Sequence, residues 1–406
     1  MSSRRVVITL LLAAAALVAA LLLLTLGVWI GGRNADIVPA PVRSALVGTD
    51  DQIVVREALN DINDTYYRKL PAGQLANDAI GGAVKALRDR FSNYFTPAQY
   101  AKFQQQQASS FTGIGVTVER AKRGLVIRSV YKDSPAKDVG IVVGDQIVAA
   151  NGRSLKGLTA KQSSELVKGP AGTKVRLKVV HDGEERVVVA TRRAISVPVV
   201  ASAMKTVCGK KIGIVALSTF SSGAHAEVYA ALKKLKRRGA QAFILDLRNN
   251  GGGFVDEAQL IASAFIAEGP ILTTRGRSVP ARTLRATGDP IVPKAPLVVL
   301  TNGGTGSASE IVAGALQDTG RATLVGEKTF GKGVFQEVIE LSNGGALDIT
   351  AGQYFTPNGR NLGGKGVSQG SGLKPDLLVK QPRDSKRDKA LRAALAKLGG
   401  CNSVTK

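Results

Sequence analysis

Histidine is scarce in this sequence, and its scarcity limits the chemistry that the chain can perform. The 406 residues include only two histidines, His181 and His225. His181 lies in the run His181-Asp-Gly-Glu184 between two β-rich stretches, which predicts a hairpin turn, and His225 opens a segment of helical composition that ends in a basic run. Both are predicted at the surface. A nucleophilic serine in this chain is therefore expected to use a base other than histidine.

Cysteine is equally rare, with one copy at Cys208 and one at Cys401. Neither belongs to a spacing typical of catalysis or of a metal site, so we predict no metal. In an exported body Cys208 and Cys401 are candidates for a disulfide that ties the tail to the core; two unpaired thiols are the alternative. A glycine triplet, Gly251-Gly-Gly253, is not followed by Gly-Lys-Ser or Gly-Lys-Thr. A phosphate-binding loop is therefore not expected, and we predict no cofactor.

Acidic residues are too few to balance the basic ones. The chain has 31 Asp and Glu against 55 Lys and Arg, which leaves a net charge of +24. The sequence has no zinc-finger spacing, no helix-turn-helix pattern and no basic ribbon interleaved with aromatics, so nucleic acid is not predicted as a partner. An anionic membrane or cell-wall surface explains the excess charge at least as well as nucleic acid does.

The first 32 residues carry a long apolar run. Arg4 and Arg5 precede 25 uncharged residues, Val6 to Ile30, which is longer than a signal-peptide core of about 7–15 residues and long enough to cross a bilayer of about 30 Å. We predict a membrane anchor or signal-anchor at 1–32, with a cytoplasmic start and an exported body. The predicted location is the inner membrane, with the body in the periplasm or its equivalent. A cleaved signal and a secreted protein are the alternative.

The rest of the chain, whose apolar content is that of a globular protein, divides by composition into five parts. The predicted parts are a linker at 33–49, a helical region at 50–110 whose third helix runs from Pro97 to Gln107, a β-rich domain at 111–195, a core at 196–380 and a basic tail at 381–406. In the core, two apolar strands flank a helix from Gly223 to Arg238. We therefore predict an α/β core with a mainly parallel sheet, a β-rich domain, an N-terminal helical region and an N-terminal transmembrane helix.

Ser307 stands where a predicted strand turns into a helix. The apolar run Pro296 to Asn302 is followed by Gly303-Gly-Thr-Gly306, and helical composition resumes at Ile311. A hydroxyl on such a turn is exposed, and the free N–H groups of the helix start can face an oxyanion. The same spacing also fits a capping box, Ser307 to Glu310, which needs no catalysis. The residues alone leave both interpretations open.

Lys332 is the base that would suit such a serine. A lysine with its ordinary pKa of about 10.4 is almost fully charged at pH 7, so a catalytic lysine must be desolvated or placed near other cations. Lys332 lies between Gly331 and Gly333 after Phe330, and glycines let the backbone approach its neighbours closely. A solvated turn is the alternative for this tripeptide.

Two segments together resemble the signature of the carboxyl-terminal processing peptidases, or tail-specific proteases. They are the run Asn302 to Asp318, which contains Ser-Ala-Ser-Glu, and the run Val325 to Gln336, which contains Phe-Gly-Lys-Gly. The resemblance implies that Ser307 is the nucleophile, Lys332 the general base and Gln336 the residue that orients it. One departure is Gly306, where many relatives have alanine.

The same resemblance assigns further residues. It implies that the N–H groups of Gly253 and Ala308 form the oxyanion hole, with Gly252 as the neighbour most easily confused with Gly253. Asp318 matches an aspartate of supporting importance, although a surface carboxylate is an equally good interpretation.

The β-rich domain resembles a PDZ domain. The resemblance rests on Phe111-Thr-Gly-Ile-Gly-Val-Thr-Val118 together with Asp133-Ser-Pro-Ala136, Gly140 to Ile147, Asn151-Gly152 and Leu166 to Thr173. In such a domain backbone N–H groups hold a C-terminal carboxylate while the peptide adds as a strand. The predicted tail-binding residues are Gly113, Ile114, Gly115 and Val116. A PDZ unit that only packs against or regulates the core is the alternative.

The expected function follows from these resemblances. We expect a serine endopeptidase with a Ser-Lys dyad that cleaves exported proteins near their C-termini, with the substrate tail recruited by the PDZ domain. Its expected partners are unstructured C-terminal tails, the membrane through the N-terminal helix, and an adaptor protein. The alternative is a non-catalytic PDZ receptor or scaffold for exposed C-termini.

Overall fold

The computed structural model describes residues 14–23, 27, 49–107, 110–364, 370–381 and 387–400. The chain forms two compact units, Met1–Ala86 and Leu87–Lys406. In the first unit, helix α1 spans Asp50–Thr65 and helix α2 spans Gln74–Ala86. Gln52 accepts a hydrogen bond from the Thr49 N–H at 3.0 Å, so a polar side chain satisfies one of the free donors at the start of α1.

The prediction of an N-terminal transmembrane helix is wrong for the described structure. Among the described residues, no helix is both long and apolar enough to cross a membrane. In this region the structure describes helical residues at 14–23 and 27. The other residues of the predicted anchor, except residue 27, and the linker up to residue 48 lie outside the described residues.

The second unit begins with a short strand and a helix. Strand β1 is Asn93–Phe95, and helix α3 is Pro97–Gln107, where the third helix was predicted. Tyr100 donates its backbone N–H to the Thr96 carbonyl at 2.8 Å, which closes the first helical turn behind the proline that has no N–H to offer.

The β-rich region that follows contains a six-stranded sheet of order β3-β4-β5-β7-β8, with β6 attached to β5. Its elements are β2 Ser110–Gly113, β3 Val116–Ala121, β4 Gly124–Val130, α4 Pro135–Asp138, β5 Gln146–Ala150, β6 Arg153–Ser154, α5 Ala160–Val167, β7 Lys174–His181, β8 Glu184–Thr191 and β9 Arg193–Ser196. β2 pairs with β9 in a separate two-stranded sheet. Alternating Val, Leu and Ile residues give the region an apolar core of its own.

A second six-stranded sheet, of order β10-β11-β12-β15-β16-β19, forms the α/β core. Its strands are β10 Val200–Val207, β11 Lys210–Leu217, β12 Ala242–Asp246, β15 Leu297–Thr301, β16 Thr323–Gly326 and β19 Leu377–Leu378. All neighbours after β11 are parallel and β10 is antiparallel, so the expected mainly parallel sheet is present. Every residue of β15 is buried, as both faces of a parallel sheet require.

Helices cover both faces of this sheet. They are α6 Ala224–Arg237, α7 Val255–Ser263, α8 Ala308–Asp318 and α9 Lys389–Gly399. The first three share one apolar cluster with the sheet, and α9 shares another on the opposite face. The segment predicted as a basic tail therefore contains a helix whose apolar side, including Ala394 and Leu398, is buried in the described structure.

A five-stranded antiparallel sheet lies beside the core, and no pattern in the sequence predicted it. Its strands are β13 Pro270–Gly276, β14 Arg282–Arg285, β17 Val334–Glu340 and β18 Ala346–Phe355, with β1 as the fifth. β18 pairs with β1, β13 and β17 along different parts of its length. Strands from opposite ends of the second unit thus meet on β18.

Candidate active site

Ser307 is the N-cap of α8, one turn beyond the end of β15. Its backbone has φ 55° and ψ −120°, a conformation that costs a residue with a Cβ about 1–3 kcal/mol and that is concentrated at functional sites. The Ser307 N–H donates to Glu310 Oε2 at 3.0 Å, and the two residues form the capping box that the spacing left open, in which the Ser307 side chain faces the Glu310 backbone N. Such a cap uses only an acceptor lone pair of the serine oxygen, so the Ser307 proton stays available to a base.

The glycine loop after β12 lies directly against Ser307. A Cβ built on Gly252 would be 2.8 Å from Ser307 Cβ, from Ala308 N and from Gly306 O, and Gly252 has φ +106°. Any residue with a Cβ at position 252 would displace the turn that carries Ser307.

Two N–H groups beside Ser307 have no acceptor within the described residues. Gly252 donates its N–H to Asn250 Oδ1 at 2.9 Å, but Gly253 N–H and Ala308 N–H donate to no described protein group. Asn250 in turn donates from its amide to the Leu217 carbonyl at 2.9 Å, which fixes the loop. The free donors are the two residues predicted for the oxyanion hole, and Gly252 is not a free donor.

Glu310 connects two segments. One is the serine turn, residues 302–307 between β15 and α8, and the other is the lysine loop, residues 327–333 between β16 and β17. Its side chain is 0% exposed, and Oε2 accepts from Ser307 N and from Lys332 N at 3.0 Å each. Oε1 accepts from the Thr329 hydroxyl at 2.5 Å and from Gly331 N at 2.8 Å. Burial raises the pKa of the Glu310 carboxyl, and these four donors oppose that rise. The nitrogens of Ser307 and Lys332 lie within about 6 Å of each other, because both contact one oxygen.

Lys332 is half-buried, and its loop is held on both sides. The Tyr354 hydroxyl, in a side chain only 1% exposed, donates to the Lys332 carbonyl, and a Cβ on Gly333 would be 2.2 Å from Gly363 N. The flanking glycine therefore allows a close backbone approach, as expected. Burial lowers the pKa of the Lys332 amine, and Asp348, Asp89 and Glu310 oppose that shift with their negative charge.

The Lys332 amine donates to Gln336 Oε1 at 2.5 Å. Gln336 Nε2 donates to Thr350 Oγ1 at 3.1 Å, so Thr350 holds the nitrogen end of the amide while the oxygen end faces the lysine. β17 has an irregular register against β18 between Phe335 and Gln336, and such irregularities redirect side chains near active sites. In the described part of the chain no hydrogen bond joins the Lys332 amine to the Ser307 hydroxyl; such bonds are often long without substrate.

Asp318 lies at the other end of α8 from Ser307. Its carboxylate accepts from the Thr356 hydroxyl at 2.5 Å and from Asn358 N at 2.9 Å and pairs with Arg360. Its side chain is 3% exposed, so it is not a surface carboxylate. It fixes the segment after β18 to the helix and has no contact with the serine turn.

The other predicted residues are distributed as follows. Ile114 and Gly115 are buried, and their carbonyls accept from Ala136 N at 2.8 Å and Tyr131 N at 3.0 Å. Their own N–H groups donate to no protein group within the described residues. Gly113 ends β2 and Val116 starts β3 on either side of them.

Neither the histidines nor Cys208 belongs to the serine site. His181 Nδ1 is 2.6 Å from Asp145 Oδ1, and His225 Nδ1 is 2.9 Å from Glu257 Oε2. Cys208 is not a free thiol; Cys401 lies outside the described residues, and their pairing stays a prediction.

Sequence reasoning missed several residues of this site. Glu310 was considered only as half of a helix cap, and Thr350 and Tyr354 were given no role. For Glu310 a signal was available, because a carboxylate in a helix without solvent-facing neighbours needs donors. For Thr350 and Tyr354 there was none, since their contacts depend on the pairing of β18.

Comparison with known proteins agrees with the geometry. The model of peptidase family S41 matches residues 211–379, and a PDZ domain model matches residues 126–180. The chain is 34% identical over 362 residues to a carboxyl-terminal-processing protease of Synechocystis sp., covering 84% of this chain and 83% of the relative. The chain belongs to the carboxyl-terminal processing proteases of peptidase family S41.

The chain is also similar to two further C-terminal processing proteases. The chain is 34% identical to the carboxy-terminal processing protease CtpA of Bacillus subtilis over 327 residues, covering 80% of this chain and 69% of the relative. The solved photosystem II D1 C-terminal processing protease is 28% identical, with a TM-score of 0.49, over 82% of this chain and 94% of that one. As a family member, the chain is a serine-type peptidase with a PDZ domain, as the sequence predicted.

Proposed function

We propose that this serine-type peptidase is an endopeptidase with a Ser307–Lys332 dyad that cleaves proteins near their C-termini. The observation that supports the dyad most strongly is the shared acceptor Glu310 Oε2, 3.0 Å from the backbone N of both residues. A lysine side chain extends about 6 Å, so an amine anchored at that backbone position can reach the serine hydroxyl. The desolvated environment of Lys332 favours the neutral amine that a general base requires.

In the proposed first half-reaction, neutral Lys332 takes the proton from Ser307 Oγ as Oγ bonds to the peptide carbonyl carbon. The carbonyl oxygen becomes an oxyanion that accepts from the free N–H groups of Gly253 and Ala308. When the tetrahedral intermediate collapses, the C–N bond breaks and the lysine ammonium returns the proton to the leaving amine. An acyl-serine remains.

In the second half-reaction, water gives a proton to Lys332 and its oxygen attacks the ester carbon. The same two N–H groups hold the second oxyanion, and the proton returns to Ser307 Oγ as the acid product leaves. Gln336 accepts one amine hydrogen throughout. That bond uses an amine hydrogen and leaves the lone pair of the neutral amine free to take the serine proton.

We further propose that the PDZ domain recruits substrate tails. The free N–H groups of Ile114 and Gly115 suit a terminal carboxylate, and the unpaired edge of β3 suits an added peptide strand. Tail amidation is expected to raise KM with kcat almost unchanged, because the carboxylate contact is made equally in ground and transition states.

We also propose that the peptidase acts outside the cytoplasm, which rests on sequence alone. Arg4 and Arg5 ahead of an apolar run are typical of exported chains. A tagged Ser307→Ala protein should be degraded by protease added to intact spheroplasts, while a cytoplasmic marker survives. Protection of the tagged protein would contradict export.

The experiment that tests the activity compares wild type, Ser307→Ala and Lys332→Ala on an unstructured protein with an apolar tail. Intact-mass spectrometry should detect wild-type products shortened at the C-terminal end and no products from either variant. A binding scaffold would retain the substrate equally in all three and cut in none. Cleavage by wild type that persists in Lys332→Ala would refute the dyad.

A further inference from the structure

The segment immediately before β1 lies against the predicted base. The Lys332 amine is 5.1 Å from the centroid of the Phe91 ring, and the Arg90 guanidinium is 5.4 Å from the Phe91 ring and 5.8 Å from the Phe330 ring. Phe330 belongs to the lysine loop itself. An N-terminal stretch that carries no family motif thus covers the outer side of the amine.

Hydrogen bonds continue from this segment to the amine. Ser92 is buried, and its Oγ accepts from Thr350 N at 3.0 Å and donates to Asp89 Oδ2 at 2.5 Å. Thr350 Oγ1 accepts from Gln336, which accepts from Lys332. The connection from Asp89 to Lys332 therefore passes through the Thr350 N–H and the side chains of Ser92, Thr350 and Gln336.

The local sequence around Asp89 explains why Phe91 and Ser92 face the Lys332 amine and Thr350. Asp89 Oδ1 accepts from Phe91 N at 2.9 Å, which makes a turn closed by an aspartate side chain. β1 then pairs antiparallel with β18, with Asn93 opposite Asp348. The turn and the pairing together fix Phe91 over the amine and Ser92 beside Thr350.

We propose that Phe91 and Ser92 are positioning residues for the base: Phe91 excludes water from the Lys332 amine, and Ser92 fixes Thr350 so that Gln336 keeps its oxygen towards that amine. The inference rests on the proposed role of Lys332 as general base. It assigns to the N-terminal segment a function in catalysis that the family motifs do not include.

Several charged groups face the amine and must be weighed against the ring. Asp89 of the segment, Asp348 of β18 and Glu310 of α8 all favour the ammonium, and burial opposes them and prevails. The face of an aromatic ring also attracts a cation, by about 0.5–2 kcal/mol. The ring therefore has two opposite effects on the pKa of Lys332: excluding water lowers it, and attracting the ammonium raises it. A substitution of Phe91 can separate the two effects.

The first test measures the pH profile of kcat/KM for Phe91→Ala and Phe91→Leu. Loss of the ring in Phe91→Ala admits water, so the rising limb of the profile should move to higher pH, and the rate at pH 7 should fall about 10-fold. Phe91→Leu keeps an apolar cover, and its limb should stay at or below that of wild type. Phe103→Ala is the matched control, because Phe103 stacks on Phe95 at 4.8 Å in the same region and should leave the limb in place.

A limb that moves to lower pH in Phe91→Ala, or that moves equally in Phe103→Ala, would overturn the role of Phe91.

The second test uses Ser92→Ala, which should lower kcat about 10-fold with little change in KM. Ser92→Thr restores the hydroxyl and should recover most of the rate. Equal defects in Ser92→Ala and Ser92→Thr, or a defect in KM alone, would overturn the role of Ser92.

Failure of the positioning roles of Phe91 and Ser92 can be distinguished from failure of the proposed Ser307–Lys332 dyad. Wild type and Ser307→Ala are assayed alongside, and loss of the Ser307 dependence would remove the dyad itself. An intact Ser307 dependence with unchanged profiles in the Phe91 and Ser92 variants would remove only the positioning role.

Discussion

The backbone N–H groups of Ser307 and Lys332 donate to the same oxygen atom, Oε2 of Glu310, at 3.0 Å each. Ser307 belongs to the turn after a strand of the parallel sheet, and Lys332 precedes a strand of the antiparallel sheet. A single buried carboxylate therefore sets the relative position of two loops that come from different layers. A catalytic pair must be held to about 0.5 Å, which such a shared acceptor can provide.

Glu310→Gln should damage both catalysis and stability. Each oxygen of Glu310 now accepts from two donors. In the glutamine one oxygen becomes an N–H₂ group, so two of the four donors would face another donor and lose their acceptor. We expect a loss of about 1–3 kcal/mol in the free energy of unfolding and a fall of at least 10-fold in kcat. Urea unfolding followed by circular dichroism and steady-state kinetics of the folded protein measure the two effects.

Glu337→Gln is the matched control for this change, because Glu337 lies exposed on β17. It should leave both quantities within the range of ordinary surface substitutions, about 0.5 kcal/mol. A Glu310→Gln enzyme with wild-type kcat would show that the shared carboxylate does not align the pair.

Lys332→Met should stabilise the protein while abolishing activity. Burial lowers the pKa of Lys332, so between that lowered pKa and the ordinary value of about 10.4 the unfolded chain binds a proton that the folded chain lacks. The stability of wild type therefore rises with pH in this window, and the penalty is fully present below it. At pH 7 we expect Lys332→Met to gain about 1 kcal/mol.

Thermal melts at pH 6, 8 and 10 measure this effect, and the advantage of Lys332→Met should shrink as pH rises. Lys328→Met, at an exposed position of the same loop, is the control and should show no such trend. An advantage that grows with pH would mean that the folded state prefers the ammonium.

Gly252→Ala and Gly306→Ala should differ although they flank the same serine. The new methyl at 252 would be 2.8 Å from Ser307 Cβ, whereas at 306 its nearest neighbour is Phe330 Cβ at 3.4 Å. Gly252→Ala should displace the oxyanion donors and lower kcat about 100- to 1,000-fold. Gly306→Ala should retain activity and gain up to about 1 kcal/mol in stability by restricting the unfolded chain. Equal activity in both variants would argue that Gly252 does not shape the site.

The sequence predicted those parts of the structure that depend on local pattern. The apolar strand before Ser307, the helix after it and the parallel core follow from runs of buried residue types and from the β-α-β order, and each is present. Lys332 and Gln336 were assigned by resemblance, and they are in direct contact. Gly252 N–H is bonded to Asn250 and Gly253 N–H has no acceptor among the described residues; the oxyanion role of Gly253 stays a prediction.

What the sequence did not predict depends on contacts distant in the chain. The Ser92 hydroxyl and Thr350 N are joined across 258 residues, and no periodicity in either segment indicates that pairing. The antiparallel sheet was missed because its strands come from three separated regions and meet only on β18. The apolar face of α9 was missed because the basic composition around it dominated the interpretation.

Asp318→Asn should lower stability and leave the chemistry of the folded enzyme almost unchanged. Asp318 ends α8, about 16 Å along the helix from Ser307, and it binds Thr356, Asn358 and Arg360. An asparagine keeps one acceptor but loses the charge that pairs with Arg360, at a cost of about 1.5–3 kcal/mol. The melting temperature should fall, while the pH dependence of kcat/KM at 25 °C keeps the position of its rising limb. Gln317→Ala, one residue away on the half-exposed side, removes hydrogen bonds to Arg360 and Asp376 without changing the charge, and it is the control for loss of hydrogen bonds alone. A shifted limb in Asp318→Asn at unchanged melting temperature would place this aspartate in the electrostatics of the base instead.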